Sequence, residues 1–312
     1  MDVSIVVPSF NKIDFLKRAL RSLDRLSYPR ENFEVIVVDD GSKDSTREFL
    51  ENFIPSFQFR FIRHEVNRGL SAARNTGLKN AQGTIIVSID DDMEVIPHFI
   101  EEHIAFHTTG RKVAVMGNVQ LAPEVLRTGI VRYLSTRGVH KLHEGQKMPF
   151  KYLIFNNASI QKSTLFEAGL FDEKIQVYGG EDLELTFRLE QLGDVEFLYA
   201  PNAISFHMHY RHIDEVCRLM FDYGQTSLAY MIHKHPQLAE TVKAHFIEPV
   251  KFGRDTIPLI CKKILFQAVM NPFFFRILKW YGTYSPTGRP SLIYDYIIAS
   301  SYLSGLKKSR TG

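Results

Sequence analysis

Cysteine is scarce in this 312-residue sequence: Cys217 and Cys261 are the only two, and they lie far apart. That excludes a disulfide framework and makes a reducing compartment the expectation. No uninterrupted apolar run reaches the roughly 20 residues that a bilayer-spanning helix needs. Met1-Asp2 leads straight into "VSIVVPSF", without a basic leader or a small-residue cleavage site. The expectation is a cytoplasmic chain. Charge of one sign is also lacking, since the net charge is only +3. With no arginine-rich face interleaved with aromatics and no zinc-finger or helix-turn-helix spacing, nucleic acid is not expected as a partner. A G-x-G-x-x-G cradle, a P-loop lysine motif and an H-E-x-x-H zinc site are absent too, as are internal repeats and low-complexity segments.

What is present suffices for a full core: 45% of the residues are hydrophobic. In the first third, two periods alternate. "VSIVVPSF", "FEVIVVDDGS", "FRFIRHE" and "TIIVSID" read as strands. Between and after them, "KIDFLKRALRSL", "DSTREFLENF", "GLSAARNTGLKNAQG" and "IPHFIEEHIAFH" read as helices. Leu16, Ala19, Leu20 and Leu23 share one helical face, Asp44 is the expected cap of the second helix, and the third should end near Gly83. Continuous apolar strands alternating with helices predict an α/β fold whose mostly parallel sheet is covered on both faces. In such sheets ligands bind beyond the carboxyl ends of the strands. Ser9 and Asn11, Asp39 and Asp40, and Asp90 to Asp92 should meet there.

Later the pattern changes. Residues 122–150 show no clear period, and so long an irregular insert is more often functional than idle. "NNASIQKSTLFEAGLFDEKI" gives a strand, a short helix and a turn, "YGGEDLELTFRLEQLG" a helix, and "VEFLYAPNAISFHMHY" an extended return. From His212 onward the chain reads as helical, aromatic and basic.

Four groups of residues can carry chemistry. Asp90, Asp91 and Asp92 end a strand, although adjacent carboxylates repel unless something positive sits between them. If strand alternation continues, Asp90 and Asp92 point one way and share a cation, with Asp91 turned away. A hard divalent ion takes one or two carboxylates and completes its shell with water and phosphate oxygens; a solvated acidic turn is the plain alternative. In "VVDDGS" a carboxylate can accept from a ring N–H or from ribose hydroxyls, or the pair simply shapes a capping turn. In "GGEDLELTFRL", Glu181 and Asp182 suit the first turn of a helix. Asp182 also precedes Leu185 and Leu189 by three and seven residues, so it should point inward, where a carboxylate can act as a general base. His207 and His209 share one face of an extended segment, and either can supply a nitrogen ligand.

The order of these groups resembles that of the family 2 glycosyltransferases, enzymes of the GT-A fold, over about Val3 to His209. The pieces that carry the resemblance are "SIVVPSFNK", "VIVVDDGSKDST", "NRGLSAARNTGLKNAQGTIIVSIDDD", "GLFDE" and "GGEDLEL". The last also looks like the matching helix of polypeptide N-acetylgalactosaminyltransferases and β-1,4-galactosyltransferases. The resemblance implies inverting transfer of a hexosyl or N-acetylhexosaminyl group from a nucleotide-sugar donor, usually a UDP-sugar, with Mn²⁺ or Mg²⁺. The acceptor would be a carbohydrate, lipid-linked or protein hydroxyl, in surface polysaccharide or glycoconjugate synthesis. By the same resemblance Pro8, Ser9, Phe10, Asp39 and Asp40 hold base and ribose, and Asp91 lies beside them on the donor side. Asp92 binds the metal, Asp90 the ribose or metal, and His207 is a late metal ligand with His209 as fallback. Arg74 approaches the diphosphate, Asp182 is the base, and Gly180 and Glu181 face the acceptor. The sequence departs from the common Asp-x-Asp-Asp form: Met93 follows Asp92 and the extra acid is Asp91.

The expected division is a catalytic domain over 1–211, with a nucleotide-sugar half at 1–121 and an acceptor-side half at 122–211. A helical extension covers 212–312. In that extension "PLICKKILFQAVMNPFFFRILKWYG" reads either as a membrane-surface element or as helices packed on the domain or on a second copy. In the first case Trp280 sits at the headgroups, Lys262, Lys263 and Lys279 face anionic lipid, and the chain is peripheral on the cytoplasmic face. Rival readings are a nucleotide-sugar-binding module without catalysis and a nucleotidyltransferase. The second should show a glycine-rich basic loop after the first strand, and "SFNKID" has no glycine there.

Overall fold

The structure, a computed structural model, describes residues 1–107, 110–136, 138–287 and 289–311. Its strands are β1 (Val3–Ser9), β2 (Phe33–Asp39), β3 (Gln58–Arg63), β4 (Ile85–Ile89), β5 (Met93–Val95), β6 (Lys112–Leu121), β7 (Asn157–Gln161) and β8 (Val195–His207). They form one eight-stranded sheet in the order β3-β2-β1-β4-β7-β6-β8-β5. The four strands expected from the first third pair in parallel, β1 with both β2 and β4, and β2 with β3. β7 runs antiparallel to β4 and β6, and β8 runs parallel to β6. The sheet is thus mixed, parallel from β3 through β4 and covered by helices, as the α/β expectation requires.

The apolar runs are continuous because both faces of the sheet are covered. Val6, Ile36, Val38 and Ile86 lie in one core, with Ala73 and Leu78 of a covering helix. The alternate positions Ile5, Val7, Val35, Val37 and Val87 lie in the other core, with Leu16, Leu20, Leu50 and Phe99. The helices of this unit are α1 (Ile13–Leu23), α2 (Thr46–Glu51), α3 (Leu70–Asn80) and α4 (Phe99–Ile104). The stripe of Leu16, Ala19, Leu20 and Leu23 on α1 is fully buried. Each of its three leucines contributes about 2 kcal/mol of transfer free energy. Ser45, one residue beyond the expected Asp44, holds the N-cap position of α2; Asp44 instead accepts from Thr46 N and Ile13 N and ties two helix starts together. α3 stops at Asn80, three residues before Gly83.

The chain forms two compact units. The first comprises Met1–Val125, Arg137–Gln176 and Glu181–His209, and the second Leu126–Thr136, Val177–Gly180 and Tyr210–Gly312. The expected split after 211 falls two residues past the boundary at Tyr210, and Leu126–Thr136 and Val177–Gly180 also group with the C-terminal helices. In the second unit α5 (Gly129–Leu134) lies within the insert that showed no period. The first unit adds α6 (Lys162–Glu167) and α7 (Glu181–Gln191). The rest of the second unit is α8 (Ile213–Tyr223), α9 (Ala229–Lys234), α10 (Leu238–Thr241), α11 (Ile257–Val269), α12 (Pro272–Tyr284) and α13 (Ser291–Ser309). α8 and α13 cross closely at two glycines. A Cβ on Gly224 would overlap the Tyr302 carbonyl oxygen, and one on Gly305 the Phe221 carbonyl oxygen.

Candidate active site

The parallel strands deliver their polar ends to one edge. Ser9 is in register with Asp39, and Val6 with Ser88, which brings the turn after β4 beside the end of β1. Ser9 Oγ donates to Asp91 Oδ2 at 2.8 Å, and both side chains are buried. Asn11 adopts φ 53, an αL conformation that Asn tolerates better than most residues. Its N–H donates to Ser42 Oγ at 2.9 Å, and its Oδ1 accepts from Lys43 N at 2.8 Å, so the loops after β1 and β2 are knit together. Pro8 is buried within β1, whereas Phe10 is exposed just beyond it.

The acid triplet is arranged differently from the expectation. β4 ends at Ile89, so Asp90, Asp91 and Asp92 sit in a turn where strand alternation does not apply. Asp91 and Asp92 turn to a common cation of the protein itself, Lys12, whose Nζ lies 3.3 Å from Asp91 Oδ1 and 2.7 Å from Asp92 Oδ2. Asp90 goes elsewhere. Burial pushes the Asp91 carboxyl up to about 7, against the pull of Lys12. Burial acts upward on Asp92 as well, yet His207 and Lys12 hold it well below the usual carboxylate range. Lys12 loses hydration by burial, but Asp91 and Asp92 outweigh that loss and keep the ammonium charged. Sequence reasoning missed Lys12; the only signal was its place in "SFNK", directly after a strand whose end abuts the triplet.

The second cation is Arg74, on α3. It is almost fully buried, and its guanidinium reaches Asp90 Oδ1 at 3.0 Å, Asp182 Oδ1 at 2.8 Å and Glu181 Oε1 at 3.3 Å. The ring of Phe171 lies 5.2 Å away. Its Nε is buried with no hydrogen-bond partner among the described residues. Arg74, expected near a diphosphate, engages three carboxylates and joins the end of β4 to the start of α7. Burial raises the Asp182 carboxyl to about 7; Arg74 opposes this, while Glu181 and Asp90 add to it. Leu185 and Leu189 of α7 are fully buried, and the helix is fixed by Glu184, which pairs with Arg188, itself donating to the Ala168 and Leu170 carbonyls. Glu181 belongs to the Arg74 cluster. Gly180, with φ 101, belongs to the second unit, where Met231, Tyr223 and Ser227 crowd the place of its missing side chain.

Internal donors engage both acids of "VVDDGS", and Asp39 shapes the turn after β2, as the turn alternative expects. Asp39 is paired with Arg63 and accepts from Ser42 N at 2.9 Å. Asp40 accepts from Arg68 N at 2.9 Å, Gly69 N at 2.8 Å and the His64 ring at 2.6 Å. Gly69 is the residue before α3, so Asp40 sets the start of the helix that carries Arg74.

A cation can be accommodated at Asp92. Its Oδ1 is buried and has no hydrogen-bond partner among the described residues, and His207 Nε2 is 3.5 Å from it. Met93 pairs with His207 across β5 and β8, which fixes that approach. His209 packs edge-on to Phe15 instead, 5.9 Å between ring centroids. One carboxylate and one imidazole suit an ion that fills its shell with water and phosphate oxygens. Among the described residues no group of three or more acidic, histidine or cysteine side chains forms a ready-made cage. Asp90, bound to Arg74, stands apart from the Asp92–His207 pair.

A mixed sheet with carboxylates gathered at the carboxyl ends of its parallel strands is the arrangement expected of a GT-A enzyme, and comparisons with known proteins make the chain a glycosyl-transferring enzyme of that fold. The sequence profile of Glycosyl transferase family 2 matches residues 4–166, just over half the chain, and the chain belongs to that family. It is 29% identical over 283 residues to the uncharacterized glycosyltransferase YfnE of Bacillus subtilis (strain 168), covering 75% of this chain and 71% of that protein. Poly-beta-1,6-N-acetyl-D-glucosamine synthase of Staphylococcus epidermidis is 27% identical over 210 residues, covering 65% of this chain and 49% of that one. The chain thus spans only about half of several curated relatives, and 52% of the validoxylamine A glucosyltransferase of Streptomyces hygroscopicus. Among solved structures, S. aureus TarS 1-349 has a TM-score of 0.60 at 18% identity, covering 100% of this chain and 92% of that one. The mannosyltransferase PcManGT of Pyrobaculum calidifontis, in complex with GDP-Man and Mn2+, has a TM-score of 0.57 at 17% identity, covering 98% of this chain and 87% of that one. At these identities the two structures bear on fold alone.

Proposed function

We propose that the chain transfers a hexosyl or N-acetylhexosaminyl group, with inversion, from a UDP-sugar to an acceptor hydroxyl, assisted by Mn²⁺ or Mg²⁺. The acceptor is a carbohydrate or a lipid- or protein-linked glycan in surface polysaccharide or glycoconjugate synthesis. The observation that carries this reading is Arg74, which gathers Asp90 and Asp182 from distant segments into one cluster. Support for the donor class comes from TarS, solved with UDP and with UDP-GlcNAc, and from PcManGT, solved with GDP-Man and Mn2+. Support for the acceptor class comes from relatives named as a poly-N-acetylglucosamine synthase and a chondroitin synthase.

In this reading Asp92 and His207 hold the ion. When bound, the ion neutralises charge building on the leaving diphosphate. Phe10 offers an exposed ring for a base to stack on. Asp182 accepts the acceptor hydroxyl proton as the new C–O bond forms at the anomeric carbon and the bond to the diphosphate oxygen breaks. Arg74 orients Asp182 through its 2.8 Å hydrogen bond, and burial makes the carboxylate basic enough for neutral pH. Asp182→Asn tests the assignment. Turnover should fall by about 10³-fold or more, with UDP affinity within about threefold of wild type. Near-normal turnover in this variant would remove Asp182 from the role of base.

A further inference from the structure

The second unit turns apolar side chains outward on two consecutive helices. On α11, Ile257, Cys261, Ile264 and Leu265 are exposed, while Lys263 is the buried residue, paired with Asp255 at 2.8 Å. On α12, Phe273, Ile277, Trp280 and Tyr284 recur at helical spacing and are 68%, 46%, 65% and 70% exposed. A helix packed on its own domain shows the opposite polarity. Lys262 and Arg276 are exposed beside these stripes. From Thr256 to Tyr294 the sequence has no Asp or Glu, and 210–312 holds 14 Lys and Arg against seven Asp and Glu.

We propose that α11 and α12 form a docking element for an anionic lipid bilayer. Its apolar stripes enter the headgroup–acyl boundary, and Lys262 and Arg276 face lipid phosphate. Charge decides the occupant: a second copy would set like charges opposite one another at the rims of the stripes, whereas anionic lipid complements them. Tryptophan and tyrosine favour the interface between water and lipid. Each helix has 13 residues, about 20 Å, so neither alone is long enough to cross, and the pair bends by 77°; in this proposal both lie along the membrane surface. The sequence-based expectation is corrected in one respect. Lys263 is internal and Lys279 is paired with Asp214, so neither is a lipid contact in this proposal.

Trp280 is the only tryptophan of the chain and reports directly on docking. The full chain is titrated with phosphatidylcholine vesicles and with vesicles that also contain phosphatidylglycerol. Expected are a blue shift of Trp280 emission, quenching by brominated lipid, and co-flotation, each confined to or stronger with phosphatidylglycerol. Phe273→Ser with Ile277→Ser, both exposed positions, should lower the floated fraction about tenfold without moving the thermal midpoint. Lys262→Gln with Arg276→Gln should weaken binding to the anionic vesicles alone. Emission unchanged by either vesicle, or flotation unaffected by the apolar pair, overturns the proposal. So does a concentration-dependent self-association, seen by sedimentation and lost in the same apolar variant, in a chain that does not float; the stripes would then be an interface between copies.

Discussion

Lys12 and Arg74 perform the same task at two corners of the acid cluster: each neutralises carboxylates whose mutual repulsion would otherwise open the edge of the sheet. Removing one member of a buried pair typically costs about 3–5 kcal/mol, because the other charge is left unpaired. Lys12 is partly exposed, so its effect is smaller and more informative for binding than for folding. Its ammonium lies 2.7 Å from Asp92 Oδ2, the carboxylate proposed to hold the ion, and would compete with a cation bound there. Lys12→Met should therefore tighten Mn²⁺ binding about fivefold by isothermal titration, the effect of removing one like charge a few ångströms away; unchanged or weaker binding would count against the competition. Asp182 gives a second expectation. For it to be the proposed base, its carboxyl, raised to about 7, has to be deprotonated. kcat/KM should therefore fall about tenfold per unit as pH drops below about 7 and level off above it. A profile flat down to about pH 5 would show that no group with this shift limits the reaction.

At the level of elements, Asn75 shows why scattered motif pieces belong together. It follows Arg74 on α3, and its side chain donates to the Phe171 carbonyl at 2.9 Å and to Glu173 at 3.0 Å, while accepting from Phe171 N at 2.9 Å. The "SAARN" and "GLFDE" pieces are thus two sides of one clamp beneath the site. Asn75→Ala leaves a buried carbonyl and N–H of Phe171 unpaired and should cost about 2–3 kcal/mol in urea unfolding; a loss below about 0.5 kcal/mol would mean that water or loop movement replaces the clamp. The strands β1 to β4 and the stripe on α1 were legible in the sequence because burial on both sheet faces writes continuous apolar runs. β5 was not, being three residues that follow an acidic turn. The pairing of Asp91 with Asp92, rather than Asp90 with Asp92, was equally hidden, since a turn obeys no period. Asp39 and Asp40 were visible as strand-end acids, but their engagement by Arg63, Ser42, His64 and the start of α3 depends on contacts across the fold.

For the whole molecule, what matters is that segments far apart in the chain meet at one edge of the sheet. Asp92 and His207 stand 115 positions apart and come within 3.5 Å, and Arg74 joins Asp90 to Asp182. In the proposed function, this polar edge is where a nucleotide diphosphate and its cation would bind together. Isothermal titration of UDP, with and without Mn²⁺, into wild type, Asp92→Ala and Asp182→Asn tests this most directly. UDP binding to wild type should tighten by about tenfold or more with Mn²⁺, Asp92→Ala should lose that gain, and Asp182→Asn should keep it. UDP affinity indifferent to Mn²⁺ in wild type, or an undiminished gain in Asp92→Ala, would contradict a shared nucleotide and cation site at this edge.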